Sequence, residues 1–142
     1  MNVLVINGPN LNFLGIREKE IYGNKTYQDL EKYLHQIGEK YHLNLEVIQT
    51  NHEGVIIDKI QDAYFKKADA IIINPGAYTH YSYAIRDAIK SVNIPTVEVH
   101  LSDIMNREDF RKASVIRDVC LQSYYGVGFE SYLEAVKLIV GE

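Results

Sequence analysis

Three short polar segments carry the residues best suited to chemistry. They are Asn7-Gly8-Pro9-Asn10-Leu11-Asn12, Asn74-Pro75-Gly76-Ala77-Tyr78-Thr79-His80 and Glu98-Val99-His100-Leu101-Ser102-Asp103. Each begins where a run of β-branched and aliphatic residues ends. Between them they offer Asn12, Asn74, His80, Glu98, His100 and Ser102, a set of imidazoles, amides, one carboxylate and one hydroxyl. Such groups suit acid–base chemistry on a small polyhydroxy or carboxylate ligand. His100, beside Glu98 at the expected rim, reads as a candidate acid, and otherwise as a satisfied histidine at a strand end. His80 also reads as polarity at the start of a helix. His35, His42 and His52 have no such company and read as surface residues.

Other chemistries lack their residues. The loop 8–15 contains no Ser or Thr to cradle a flavin phosphate, and it is neither a dinucleotide fingerprint nor a Walker A loop. Asparagines stand where a phosphoacceptor domain would carry aspartates. His52-Glu53 is not followed by a second histidine at zinc spacing, and no nucleophile elbow occurs. The single cysteine, Cys120, excludes an intrachain disulfide and a multi-cysteine metal site, and Val119-Cys120-Leu121 reads as a buried apolar run. No metal or cofactor is expected. A net charge of −4, with arginines scattered among acids, argues against a nucleic-acid partner.

The elements that must position these groups alternate between short strands and amphipathic helices. Val3-Leu4-Val5-Ile6 is a strand, followed by a helix with apolar positions Leu30, Tyr33, Leu34, Ile37 and Tyr41, capped by Thr26 with Asp29 three residues on. A strand over 43–49 and a helix over 55–67 follow. The strand 70–73 is apolar on successive residues, as expected when both faces are covered. Thr79 is the expected cap of the next helix, with Tyr81, Ala84, Ile85, Ala88, Ile89 and Val92 on its apolar stripe. Strand four spans 95–99, a short helix starts near Arg107 with Asn106 as cap, and a fifth strand lies within 115–125. A final helix carries Tyr132, Leu133, Val136, Ile139 and Val140, ended by Gly141.

This alternation implies a parallel sheet with helices on both faces, and the chain's size suits a flavodoxin-like three-layer α/β sandwich, expected in the order 2-1-3-4-5. Ligands of such sheets bind beyond the carboxyl ends of the strands. That rim is where all three polar segments fall. A single domain, 1–142, accounts for the whole sequence. The apolar run 3–6 is far too short to span a membrane and carries no basic leader, so a cytoplasmic protein is expected. Between strand one and the first long helix lie about twenty residues, longer than most such connections. Gly15 and Gly23 bracket Ile16-Arg17-Glu18-Lys19-Glu20-Ile21-Tyr22, which reads either as a lid or as a solvated loop.

The sequence resembles the type II 3-dehydroquinate dehydratases in three blocks. The first is Asn7 through Glu18 with Tyr22-Gly23. The second is Asn74 through His80 with Ala84-Ile85-Arg86-Asp87-Ala88. The third is Glu98 through Ser102 with Arg107-Glu108-Asp109-Phe110-Arg111 and Ser114. The resemblance implies reversible dehydration of 3-dehydroquinate to 3-dehydroshikimate through an enolate, without metal or Schiff base. It implies that Tyr22 is the base, His100 the acid, Arg17 the lid cation, and Asn12 the holder of a water beside the enolate oxygen. Glu98 would orient His100, because two residues along a strand return to the same face. Asn74, His80, Leu101, Ser102 and Arg111 would bind the substrate, with backbone donors at Leu101-Ser102. Asp87 would reach the site from a neighbouring subunit, within trimers that assemble into a homododecamer.

A free tyrosine titrates near 10, so Tyr22 needs its phenolate stabilised to act as a base at neutral pH. Arg17, five residues earlier, supplies a cation in the same stretch. On residue type alone Tyr22 is one of eleven tyrosines, and Arg111 can equally pair with Glu108. Lys19, Tyr81, Asp103 and the segment 117–125 depart from the family pattern. A non-catalytic flavodoxin-like module binding a shikimate-like ligand is the alternative reading, and a flavin protein the third.

Overall fold

The computed structural model describes all of residues 1–142 except Glu18, and of Tyr22 the backbone alone. Strands β1 (Asn2–Asn7), β2 (Asn44–Gln49), β3 (Ala70–Asn74), β4 (Thr96–Val99) and β5 (Gln122–Tyr124) form one parallel sheet in the order β2-β1-β3-β4-β5. The helices are α1 (Lys19–Tyr22), α2 (Tyr27–Lys40), α3 (Glu53–Phe65), α4 (Tyr83–Val92) and α5 (Glu130–Val140).

The two-residue period of the strands divides the core. Val3, Val5, Ile72, Val97 and Val99 face α2 and α5, packing on Leu30, Leu34, Tyr132 and Val136. Leu4, Ile6, Ile71 and Ile73 face α3 and α4, packing on Ile56, Ile60, Ile85 and Ile89. Every residue of β3 is buried, as its unbroken apolar run requires.

The Thr26 cap is present as a full capping box with Asp29, and Gly141 ends α5 in the left-handed region. Three local expectations are corrected. Helix α3 starts two residues earlier than 55 and ends two residues short of 67. Helix α4 is capped by Ser82, whose Oγ accepts from Ile85 N–H while donating to Glu53. Thr79 instead sits in a 3-10 turn, Gly76–His80, with its hydroxyl turned to Glu98, so Tyr81 and Ala84 lie exposed rather than on the apolar stripe. In place of one helix from Arg107 there are two 3-10 turns, Ile104–Asn106 and Asp109–Lys112, because Asp103 caps the first through Met105 N–H.

Two glycines let the site-bearing loops close on each other. A side chain at Gly8 would lie 2.9 Å from the Asn74 and Pro75 carbonyl oxygens. Gly76, at φ +57°, packs against Pro9.

Candidate active site

The carboxyl ends of β1, β3 and β4 open into a cleft with about 620 Å³ of empty space, part of it open to solvent. Its walls include Arg17, Asn74, His80, His100, Leu101, Ser102 and Arg111, seven of the eleven residues expected at the site. Glu98 is fully buried behind His100. Asn12 lies outside the wall, exposed, with its Oδ1 accepting from Gln49 Nε2 at 3.4 Å. Asp87 lies exposed on α4, also outside the cleft. The expected position of the Tyr22 hydroxyl falls outside the described residues.

Burial decides the chemistry of the Glu98–His100 pair. A carboxylate without partners in this interior would be very costly. Glu98 meets that cost with four donors. Oε2 accepts from His100 Nε2 at 2.6 Å, Thr79 Oγ1 at 2.6 Å and Ser114 Oγ at 3.0 Å. Oε1 accepts from Ser123 Oγ at 2.7 Å and Ser114 Oγ at 3.1 Å. Burial pushes the Glu98 pKa up, but the bond and charge of His100, with the Thr79 and Ser123 hydroxyls, hold it down at about 2. Glu98 is therefore an anion at neutral pH, and His100 Nε2 must carry the proton between them. That fixes the ring and leaves Nδ1 as the nitrogen free to exchange a proton with a bound molecule.

His80 is arranged differently. Its Nδ1 lies 2.7 Å from the Ala113 carbonyl, which can only accept, so Nδ1 is protonated and Nε2 is an acceptor. Burial lowers the His80 pKa and so favours the neutral ring, against the bond to Ala113, which raises it. Phe110 packs edge-to-face on His80 and stacks under the Arg111 guanidinium.

The charge of the cleft is the reverse of the chain's. Arg17, Arg107 and Arg111 all line it, in a protein of net charge −4. Arg111 Nε donates to Glu108 at 2.7 Å, the pairing open to it from sequence, while still facing the cleft. Arg107 Nη1 donates to Ser102 Oγ at 3.4 Å. Beside them, among the described residues, neither the Leu101 nor the Ser102 backbone N–H has a protein acceptor. Guanidinium groups and free amides at one wall select an anionic, oxygen-rich ligand. No three His, Cys, Asp or Glu side chains among the described residues are grouped to hold a metal ion.

Asn74 is less free than its type implies. Its Nδ2 donates to the Tyr132 hydroxyl at 3.1 Å and its Oδ1 accepts from Gly76 N–H at 3.2 Å. Tyr132 in turn donates to Asn7 Oδ1 at 2.6 Å, and Asn7 Nδ2 reaches the Tyr27 hydroxyl at 3.4 Å. Complete burial holds the Tyr132 phenol far above its usual range, so this proton stays in place. Sequence reasoning missed this network, the Arg107 wall and the hydroxyls around Glu98. Arg107 lies between the two 3-10 turns, so no helical spacing marked it as a neighbour of Arg111.

The family model for class II dehydroquinase matches residues 1–140. The chain belongs to the class II dehydroquinase family. It is 60% identical over 134 residues to the 3-dehydroquinate dehydratase of Caldicellulosiruptor bescii, covering 94% of this chain and 92% of that one. The type II dehydroquinase structure from Butyrivibrio crossotus superposes with a TM-score of 0.97 at 53% identity, covering 99% and 97% of the two chains. The corresponding structure from Propionibacterium acnes gives 0.94 at 38% identity, with the same coverage. The fold found here is thus that of the type II dehydroquinase structures.

Proposed function

We propose that this chain dehydrates 3-dehydroquinate to 3-dehydroshikimate, a step of the shikimate pathway, by anti-elimination through an enolate. Tyr22 removes the proton next to the ketone, and the C–H electrons form the enolate. His100 then protonates the departing hydroxyl, which leaves as water while the enolate electrons close the conjugated double bond. Arg17 stabilises the Tyr22 phenolate. Asn12 holds the water beside the enolate oxygen. Arg111, His80, Asn74 and the Leu101-Ser102 amides bind the substrate's carboxylate and hydroxyls.

The observation that carries this reading is the Glu98–His100 pair, buried and held at 2.6 Å beneath a wall of arginines. An oriented imidazole facing an anion-selective cleft is what protonating a leaving hydroxyl on a carboxylate substrate needs. Asp87 contributes from a neighbouring subunit in a trimer-based homododecamer. Its exposure, beside Tyr83 on α4, fits a residue that works across an interface. The enzyme works in the cytoplasm; among the described residues no helix is long and apolar enough to cross a membrane.

The test is to mix the protein with 3-dehydroquinate and follow conjugated-enone absorbance, beside a Tyr22→Phe variant and a borohydride-treated sample. Enone formation lost in the variant and insensitive to borohydride supports a Tyr22-based, imine-free lyase. Absence of enone from correctly folded wild type overturns the assignment in favour of a binding module.

A further inference from the structure

The hydroxyl donors around Glu98 are not equivalent. Oε2 has two short donors, His100 and Thr79, each at 2.6 Å. Oε1 has one short donor, Ser123 at 2.7 Å. The other group near Oε1, Ser114, has a single proton that lies 3.0 and 3.1 Å from the two carboxylate oxygens. Ser114 Oγ is also 2.9 Å from Thr79 Oγ1, so its proton has three claimants. The Ser123 hydroxyl has no other acceptor among the described residues.

Ser123 reaches this place through register. Glu98 and Ser123 are direct partners in the β4–β5 pairing, so their side chains stand side by side on one face of the sheet. Strand β5 is three residues long and lies at the sheet edge, and its middle residue supplies this donor. Ser123 is not part of the cleft wall.

We propose that Ser123 is a positioning residue for the acid of the reaction. Its hydroxyl fixes the rotation of the Glu98 carboxylate so that Oε2 faces His100 Nε2. This rests on the lyase reading above. Without the hydroxyl, Oε1 keeps only a shared proton, the carboxylate can turn, and the imidazole loses its fixed orientation. The substrate wall is untouched.

The experiment compares Ser123→Ala, Ser123→Cys and Ser123→Thr with wild type in steady-state dehydration of 3-dehydroquinate. The Cys variant keeps the shape with a weak donor, and the Thr variant keeps the hydroxyl on a strand that favours β-branching. Loss of one buried bond to a charged group predicts a kcat about ten- to a hundredfold lower in the Ala and Cys variants, with KM within about twofold. The Thr variant recovers kcat to within about threefold of wild type. Equal kcat in wild type and the Cys variant overturns the proposal even if the Ala variant fails to fold. So does a loss carried by KM, or a Thr variant as slow as the others. An inactive wild type is a different result: it removes the lyase reading itself, and this proposal with it.

Discussion

Replacing Glu98 by Gln tests the pair at its origin. Gln keeps the shape and retains an acceptor oxygen for His100 and Thr79, while the nearby Ser123 and Ser114 hydroxyls can rotate to accept from its amide. What disappears is the charge. A hydrogen bond to a charged group is worth about 1.5–3 kcal/mol and a neutral one about 0.5–1.5, so orientation alone costs about tenfold in rate. The imidazolium form also loses its counter-ion, an interaction of up to about 4 kcal/mol for a pair this close at the effective dielectric of proteins. The expected fall in kcat lies between about tenfold and about a thousandfold. KM should stay within about threefold, because Glu98 is no part of the cleft wall. Initial rates of enone formation across a range of 3-dehydroquinate concentrations measure both. A kcat within twofold of wild type, or a loss expressed in KM, refutes the orienting role.

The same carboxylate predicts a pH dependence of stability. Its folded pKa, about 2, lies below the ordinary 4.5. The stabilisation is therefore complete above about pH 4.5 and is lost as the pH falls towards 2, amounting to about 3 kcal/mol. Urea midpoints between pH 7 and 2.5 should fall more steeply for wild type than for Glu98→Gln; parallel curves would contradict this. Tyr132→Phe removes the hydroxyl joining Asn74 to Asn7 and should lower unfolding free energy by about 2–4 kcal/mol, read by denaturant titration. An unchanged midpoint would show the network to be idle. Arg111→Ala should raise KM by about tenfold or more with a smaller change in kcat, and weaken inhibition by simple carboxylates in parallel. Undiminished carboxylate inhibition would place the anion elsewhere in the cleft.

Much of the architecture was legible because burial on both faces writes strands such as β3 as unbroken apolar runs. The parallel sheet then followed from the alternation with helices, its order from the fit of the chain's size to a flavodoxin-like sandwich, and the rim from both. Strand β5 was blurred for the opposite reason. It is a three-residue edge strand, part exposed, with no periodicity to read. The start of α4 was misplaced because Thr79 and Ser82 are both good caps in isolation. Only the tertiary position of Glu98 decides that Thr79 is spent on it. His100 and Glu98 could be paired from their spacing along one strand. The three hydroxyls that keep Glu98 charged come from a 3-10 turn, a loop and the edge strand, at separations no local pattern reveals. Asn74 looked free to bind a ligand, and only the fold shows most of its amide already engaged with Tyr132 and Gly76.

The most direct measurement is the initial rate of enone formation from 3-dehydroquinate by wild type and by His100→Asn, with folding checked by circular dichroism. Wild type should turn over, and the variant should retain its fold while losing about a hundredfold or more in kcat, the usual contribution of a general acid. A folded wild type that forms no enone, or a variant that keeps its rate, would contradict the assignment of His100 and its cleft to this dehydration.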